Sequence, residues 1–385
     1  MKRIFFVTQH YEPKGISFTN VMTELAKRFT KAGYEVVFLT TTHEKSHFKH
    51  YDYASVKRFK VFRPPAFGSQ IIGLEFAFKL KKYMKENLKD TDIIIANGPT
   101  ALGLPKESFI LRVSDQPPNN YDKNMSIMPY QKLETKIGRR IHCISQRLFE
   151  IIYMNKAKAF IYSSEENRDE FNKEYKLDTK PEFIPRSGVN CDMMKGAKKM
   201  KRRKPNPSIL FVGSGDERVR KGIRDLEDCL PHIFDHYEDC KLIHVGKPFK
   251  WNLYSRHVGK VISVGKVPHE KMVEYYKNVS FIVSTSMSEG FPNVLLEAMA
   301  AGCPIITSDI DGINEYLADM ESAYIYKRGD TVELVKALQY MLDQPKKAEA
   351  MAKKAQKFVQ RLDYDNYFEN LLKFIKEKKS INLLK

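Results

Sequence analysis

Short runs of consecutive apolar residues recur along the first half of the chain. The strand-like segments that contain them span residues 2–7, 35–39, 92–96, 109–113 and 159–162. Between the first two runs, Phe18, Val21, Leu25 and Phe29 recur at helical spacing. Continuous apolar runs are typical of strands buried on both faces of a parallel sheet, and the intervening spacing predicts a helix. The pattern predicts an α/β domain of the Rossmann type, with a mainly parallel sheet covered by helices.

A second series of the same kind begins after a polar stretch. Its apolar runs occupy residues 209–212, 241–245, 261–264, 281–283 and 304–306. We therefore predict a Rossmann-like N-terminal domain over residues 1–194, a basic linker over 195–207 and a Rossmann-like C-terminal domain over 208–362. Residues 363–385 form a last, helical segment. In open α/β sheets, ligands bind outside the carboxyl ends of the strands.

The length and composition fit two globular domains. A chain of 385 residues is long enough for each domain to bury its own core. No apolar stretch approaches the ~18 residues that a membrane-spanning helix needs, and residues 4–7 are too short for a signal-peptide core. The five cysteines are scattered and form no CxxC pair, so neither a disulfide framework nor a metal site is predicted. We expect a cytoplasmic protein.

The net charge of +18 is concentrated in the first half of the chain. Residues 1–204 hold 39 Lys and Arg against 22 Asp and Glu, and seven of these basic residues lie in the run 195–204. Such asymmetry favours a polyanionic partner, which is an anionic membrane surface, a phosphorylated acceptor or a nucleic acid. The alternative is a solvated lysine-rich surface.

Two glutamates flank the start of a predicted helix. Glu289 follows the strand at residues 281–283, and Glu297 lies within the helix predicted over 294–301. The exposed N–H groups and positive dipole end of a helix N-terminus attract phosphate, and carboxylates accept hydrogen bonds from sugar hydroxyls. The pair indicates a ligand with both phosphate and sugar, unless Glu297 is an ordinary solvated helix residue.

A basic pair follows the first strand of the second domain. Arg220 and Lys221 come after the loop 213–215 and precede a helix that opens at Gly222. Fixed cations at this place would stabilise the charge that develops on a leaving diphosphate without a metal. The alternative is a solvated basic turn that also includes Arg218 and Arg224.

Four motifs in this order resemble those of glycosyltransferase family 4. They lie at residues 211–222, 264–270, 288–302 and 303–315. The resemblance implies the GT-B fold, in which two Rossmann-like domains face one another across a cleft. It also implies that a last helix, around residues 367–379, crosses back onto the N-terminal domain.

The resemblance assigns roles to individual residues. It implies that Arg220 and Lys221 bind the donor diphosphate, that Glu289 contacts the donor sugar and that Glu297 accepts the ribose hydroxyls. Lys266 and Val267 would lie along the nucleobase. The remaining donor-binding positions are Gly213 and the backbone of Gly290, Phe291, Pro292, Asn293 and Val294.

The N-terminal half departs from the family pattern at two places. Where many members have a Gly-Gly loop near the diphosphate, this chain has Lys14 and Gly15, which we retain as donor contacts. Where many members have a histidine, it has Ser114 and Asp115. Asp115 joins Glu289, Arg220 and Lys221 in the predicted catalytic set, although a turn aspartate is an equal alternative. His10 is a second candidate for that role.

The resemblance implies a metal-independent, retaining, hexosyltransferase-type enzyme with no bound cofactor. Its donor would be a nucleotide-diphosphate sugar, with UDP favoured over GDP, and its acceptor a hydroxyl of a glycan or lipid-linked glycan precursor at the cytoplasmic membrane face. Basic and aromatic residues interleave at 57–63, and 76–83 is either an amphipathic interfacial helix or a helix packed on the sheet. The alternatives are a nucleic-acid-modifying glycosyltransferase and a non-catalytic nucleotide-sugar-binding protein.

Overall fold

A computed structural model describes residues 2–11, 17–42, 47–61, 68–113, 133–177, 180–185, 188–195, 206–289 and 292–381. These residues divide into two compact units. The first unit contains the described residues up to 185 together with 364–381, and the second contains those from 188 to 363.

The first unit is built on an eight-stranded sheet. Its strands are β1 (Arg3–Val7), β2 (Glu35–Thr42), β3 (His47–Tyr51), β4 (Ala54–Lys60), β5 (Ile93–Asn97), β6 (Ile110–Val113), β7 (Ala159–Tyr162) and β8 (Glu182–Phe183). They lie in the order β3-β4-β2-β1-β5-β6-β7-β8. All neighbouring pairs are parallel except β3 and β4, which form an antiparallel hairpin at one edge.

Helices cover both faces of this sheet. They are α1 (Ser17–Lys31), α2 (Gly68–Asn87), α3 (Leu133–Lys156) and α4 (Glu165–Tyr175). Side chains of α2, α3 and α4 form one core with the sheet, whereas α1 packs on the other face. Helix α4 starts where the Ser164 side chain accepts a hydrogen bond from the backbone N–H of Asn167 and caps the helix.

The second unit is built on a parallel six-stranded sheet. Its strands are β9 (Ser208–Val212), β10 (Lys241–Val245), β11 (Val261–Gly265), β12 (Phe281–Ser284), β13 (Ile305–Ser308) and β14 (Tyr324–Tyr326). They lie in the order β11-β10-β9-β12-β13-β14. The helices are α5 (Cys191–Lys195), α6 (Ile223–His236), α7 (Ser255–Val258), α8 (Met272–Asn278), α9 (Asn293–Ala301), α10 (Thr331–Asp343) and α11 (Pro345–Val359). Two buried clusters of this unit's own residues form its core.

The last helix, α12 (Tyr364–Ile381), belongs to the first unit. Its buried side chains, which include Leu371 and Phe374, join the core beneath α1. The Arg28 Nε atom of α1 also lies 2.6 Å from the Asp365 Oδ1 atom. The predicted return of the final helix to the N-terminal domain is therefore confirmed.

All five cysteines are buried free thiols. No helix within the described ranges combines the length and the apolar character that crossing a membrane requires.

Candidate functional site

The topology of the second sheet selects one place for a ligand. From β9 the chain runs outward to β10 and β11, and it then returns to place β12 on the other side of β9. Strand order thus reverses between β9 and β12, where the loops at the carboxyl ends diverge and leave a crevice. The loop after β9 carries Arg220 and Lys221, and the loop after β12 carries Glu289.

Backbone contacts fix these two loops against each other. The Thr285 Oγ1 atom donates to the Lys221 carbonyl oxygen at 2.7 Å, and the Met287 N–H donates to the Arg220 carbonyl oxygen at 2.8 Å. Gly222 has a φ of +56°, and a Cβ atom there would lie 1.9 Å from the Thr285 carbonyl oxygen. Only glycine fits this conformation and this close approach. These contacts hold the two loops together on one side of the site.

The predicted basic pair and the first predicted glutamate meet directly. Arg220 Nη1 lies 2.7 Å from Glu289 Oε2, and Lys221 Nζ lies 2.7 Å from Glu289 Oε1. The Ser286 hydroxyl donates to Glu289 Oε1 at 3.3 Å, and Arg220 also pairs with Glu217. Two cations thus converge on one largely buried carboxylate, at the carboxyl ends of the strands.

The electrostatics of this group follow from its burial. Burial alone would raise the pKa of Glu289, but the charges of Lys221 and Arg220 outweigh that effect and hold the pKa below its usual value. Burial opposes the charge on Arg220 as well, while Glu289 and Glu217 raise its pKa. Glu289 is therefore a carboxylate at neutral pH.

Gly213 lies at the start of the same loop and is held through its backbone. Its N–H donates to the Val245 carbonyl oxygen at 3.0 Å, and its carbonyl oxygen lies 2.9 Å from His244 Nε2. A carbonyl oxygen can only accept, so Nε2 carries the proton and Nδ1 accepts from the Ser263 hydroxyl at 3.0 Å. Burial lowers the pKa of His244 and favours this neutral tautomer.

Glu297 lies on the buried side of α9 and has two side-chain partners. The Tyr276 hydroxyl donates to Glu297 Oε2 at 2.7 Å, and His269 Nε2 lies 2.9 Å from Glu297 Oε1. Burial and the nearby Glu297 carboxylate raise the pKa of Tyr276 well above its usual value. Each carboxylate oxygen keeps a further lone pair, so the predicted contact with ribose hydroxyls stays compatible with these bonds.

The other predicted donor contacts lie along the same edge of the sheet. Lys266 is exposed after β11, and the neighbouring Val267 packs partly against the core. Pro292 is buried at the N-cap position of α9, whose first residues are the half-buried Asn293 and Val294. The predicted roles of these residues remain predictions.

Several predicted site residues lie outside the described part of the chain. These are Lys14, Gly15, Asp115, Gly290 and Phe291. His10 is described: it follows β1 with an exposed side chain, and its carbonyl oxygen accepts a hydrogen bond from Thr8. Its candidate role and that of Asp115 are still predictions.

The sequence pattern did not single out Arg328, which is a partly buried cation near the same loop. Its Nη2 atom lies 2.7 Å from Asp311 Oδ1, its Nε atom lies 3.2 Å from Asp309 Oδ1, and its Nη1 atom donates to the Met287 carbonyl oxygen at 3.3 Å. These partners are distant in sequence and share no local spacing. The motif around Asp311 was the one available signal.

Two protein-family models match consecutive parts of the chain. The model for Glycosyltransferase Family 4 matches residues 19–192, and the model for glycosyl transferases group 1 matches residues 194–358. The second match contains every residue of the ion cluster described above.

Curated relatives match shorter stretches. A phosphatidyl-myo-inositol mannosyltransferase from Mycobacterium leprae is 32% identical over 168 residues, which cover 40% of this chain and 43% of the relative. The corresponding protein of Mycobacterium tuberculosis is matched over 38% of its length at 28% identity. The chain therefore matches less than half of the length of these relatives.

Solved structures match over nearly the whole chain. Sucrose-phosphate synthase from Thermosynechococcus elongatus superposes with a TM-score of 0.81 at 18% identity, covering 99% of this chain and 100% of the other. The Anabaena protein HepE, solved in complex with UDP and glucose, gives a TM-score of 0.65 at 16% identity over 97% of this chain and 99% of the other. At these identities the likeness concerns the fold.

Proposed function

Because this chain belongs to the family 4 glycosyltransferases and has the GT-B fold, we propose that it transfers a sugar, with retention of anomeric configuration, from a nucleotide-diphosphate sugar to an acceptor hydroxyl. The acceptor that we propose is a glycan or a lipid-linked glycan precursor at the cytoplasmic face of a membrane. The donor is a UDP-sugar, with a GDP-sugar as the alternative, and the transferred group is a hexose.

One observation carries this proposal. Arg220 and Lys221 both lie 2.7 Å from Glu289 at the point where strand order reverses between β9 and β12. A site for a nucleotide sugar needs cations for the diphosphate beside a carboxylate for the sugar hydroxyls. The cluster supplies both within hydrogen-bonding distance of each other.

The chemistry assigned to these residues follows from their charge. Arg220 and Lys221 bind the diphosphate and stabilise the charge that grows on it as the bond from the sugar C1 atom to the phosphate oxygen breaks. The acceptor oxygen forms the new bond to C1 on the same face, and its proton passes to the departing phosphate oxygen. Glu289 holds the donor sugar. Two fixed cations make this reaction possible without a metal ion.

The acceptor class rests on different support. The mycobacterial relatives are phosphatidyl-myo-inositol mannosyltransferases by name, and their acceptor is therefore a lipid. The strongly positive first half of this chain suits an acceptor carried by an anionic membrane. A lipid-linked acceptor accounts for both the names of the relatives and the positive charge of the first half of the chain.

The test begins with a panel of UDP- and GDP-sugars, screened by thermal shift, because a ligand that binds only the native state raises its apparent stability. The sugar that binds then serves as the donor in a transfer assay with lipid-linked acceptors. We expect Lys221→Ala and Arg220→Ala each to lower kcat by roughly 10²–10³-fold, as removal of a fixed charge-stabilising donor does elsewhere. Anomeric proton couplings in the product would report retention.

Arg224→Ala is the matched control. Arg224 lies on the first turn of α6, its side chain is half exposed, and it takes no part in the ion cluster. Arg224→Ala should therefore leave kcat within about twofold of the wild-type value. Binding of a nucleotide sugar without turnover toward any acceptor or water would favour a non-catalytic binding protein, and the absence of both would overturn the proposal.

A further inference from the structure

Helix α3 is apolar on both of its sides. Its inner side contributes Tyr153 and Met154 to the core. Its outer side bears a stripe of large apolar side chains that are 40% to 61% exposed, formed by Ile141, Ile144, Leu148, Ile151 and Ile152. At 3.6 residues per turn these five positions fall within an arc of about 100°. Apolar side chains on two opposite sides of a helix are normally covered on both, so this outer stripe indicates a partner.

Helix α2 repeats the arrangement with stronger charge. Phe76 and Leu80 are fully buried against the sheet, whereas Phe78 points outward and is 77% exposed. The lysines at 81, 82 and 85 are exposed on the following turns. The helix predicted at residues 76–83 thus packs on the sheet and also presents an aromatic side chain among lysines to solvent.

The two helices lie on the same face of the sheet. Both pack against the 3-10 helix Gly98–Gly103, and both contribute to the same buried cluster. The outward sides of α2 and α3 therefore belong to one face of the first unit.

Positive charge borders this apolar face. On α3, Arg140 and Arg147 are exposed on one flank of the stripe, where Arg147 also lies 3.3 Å from Glu174. Within residues 140–156, the one acidic side chain is Glu150, which is buried and accepts a hydrogen bond from Tyr175 at 2.6 Å. Apolar side chains bordered by cations bind where acyl chains meet anionic headgroups.

We propose that the outer sides of α2 and α3 form a docking surface for an anionic lipid bilayer. Phe78, Leu148 and the isoleucines of α3 enter the interface between headgroups and acyl chains, and the lysines and arginines contact lipid phosphates. A second copy of the chain fits this surface less well, because pairing would bring the like charges of α2 and α3 together. The proposal rests on the proposed function only for its purpose, which is to bring the site to a membrane-borne acceptor.

Vesicle flotation of the full-length protein tests this surface. The wild type should float with phosphatidylcholine vesicles that contain about 30 mol% phosphatidylglycerol and should bind phosphatidylcholine alone at least about tenfold more weakly. Ile144→Glu/Leu148→Glu should reduce flotation with anionic vesicles by about tenfold or more. Lys81→Glu/Lys82→Glu should weaken the preference for anionic lipid. Because all four side chains are exposed, circular dichroism melts should match the wild type.

Val332→Glu is the matched control, since this valine of α10 is 65% exposed and lies in the second unit. It should float like the wild type. The proposal fails if the wild type does not bind anionic vesicles, if the α3 double variant binds as the wild type does, or if that variant only converts a dimer into a monomer. Donor binding, followed by calorimetry without vesicles, separates the two hypotheses: its loss in the wild type would count against the proposed function and leave vesicle docking standing.

Discussion

Glu289 is the central residue of the site, because it already forms ion pairs with the two cations that a diphosphate would bind. Arg220 and Lys221 hold Glu289, and Arg220 also holds Glu217, so four charged groups cancel to zero. Breaking a buried pair by removing one partner is costly, since it leaves a charge unpaired. Under the proposed function, a bound diphosphate would replace that partner with another anion, and Glu289 would then be free to contact the sugar.

The buried His244 side chain holds the loop that carries this cluster, through its bond to the Gly213 carbonyl oxygen. Its pKa leads to a prediction of how stability depends on pH. Burial lowers its pKa in the folded state, so the unfolded chain takes up the proton first as the pH falls below the ordinary value of 6.5. Stability is therefore present above that value and is lost toward lower pH. We expect His244→Phe to lose about 1–3 kcal/mol at pH 8, because the Gly213 carbonyl loses its partner, and to lose part of the pH dependence between pH 7 and 5.

Urea unfolding at a series of pH values measures both effects, and His232→Gln, at an exposed position on α6, serves as the control. Nitrogen-15 chemical shifts of the His244 ring report its tautomer directly. A proton found on Nδ1 in the folded protein, or an identical pH slope in wild type and His244→Phe, would contradict this account.

At the scale of elements, the turn into α6 determines whether the two loops of the site can meet. Gly222 combines a φ of +56° with an approach that leaves no room for a Cβ atom beside Thr285. We expect Gly222→Ala to cost about 2 kcal/mol or more and to abolish donor binding, because either the turn or the strand end must move. Chemical denaturation and calorimetric titration with the donor nucleotide measure the two losses.

Substitutions at two other glycines separate the effect of backbone strain from the effect of the close approach to Thr285. Gly33 has a φ of +84° with open space around it, so Gly33→Ala carries the backbone strain alone. Gly259 has an ordinary helical φ of −68° and open space, so its replacement by alanine should be nearly neutral. If Gly222→Ala proved no worse than Gly33→Ala, the close approach to Thr285 would not matter.

Among the elements, the sequence predicted strands buried on both faces but not edge strands or very short ones. Strands buried on both faces leave continuous apolar runs, and β7 occupies the predicted residues 159–162. Strand β3 was not predicted, because it lies at the sheet edge and its sequence from His47 to Tyr51 is half polar and largely exposed. Strand β14 has three residues, which is too short for a periodic signal. Edge and very short strands depend on a partner that local sequence does not specify.

At the scale of the whole molecule, the candidate site depends on pairings between distant segments. The sequence predicted that Glu289 and the basic pair would serve one ligand, but their direct ion pairs require β9 and β12 to be neighbours, which no local pattern encodes. The same holds for Glu297, whose partners Tyr276 and His269 come from α8 and the turn before it. The order of the sequence motifs predicted the kind of ligand, whereas the strand order determines which side chains contact one another.

The chain order of the two units leads to a last prediction. The first unit is discontinuous, because α12 returns to it after the second unit is complete, and each unit has buried clusters of its own. We expect Leu371→Ala, at a fully buried position on α12, to destabilise the first unit by about 2–5 kcal/mol. Asn370→Ala, at the exposed neighbouring position, should have little effect. Calorimetry should show one transition shifted in Leu371→Ala and a second one unchanged, identified as the second unit because a donor nucleotide raises its temperature. Equal shifts of both transitions, or equal behaviour of the two variants, would mean that α12 does not stabilise the first unit separately.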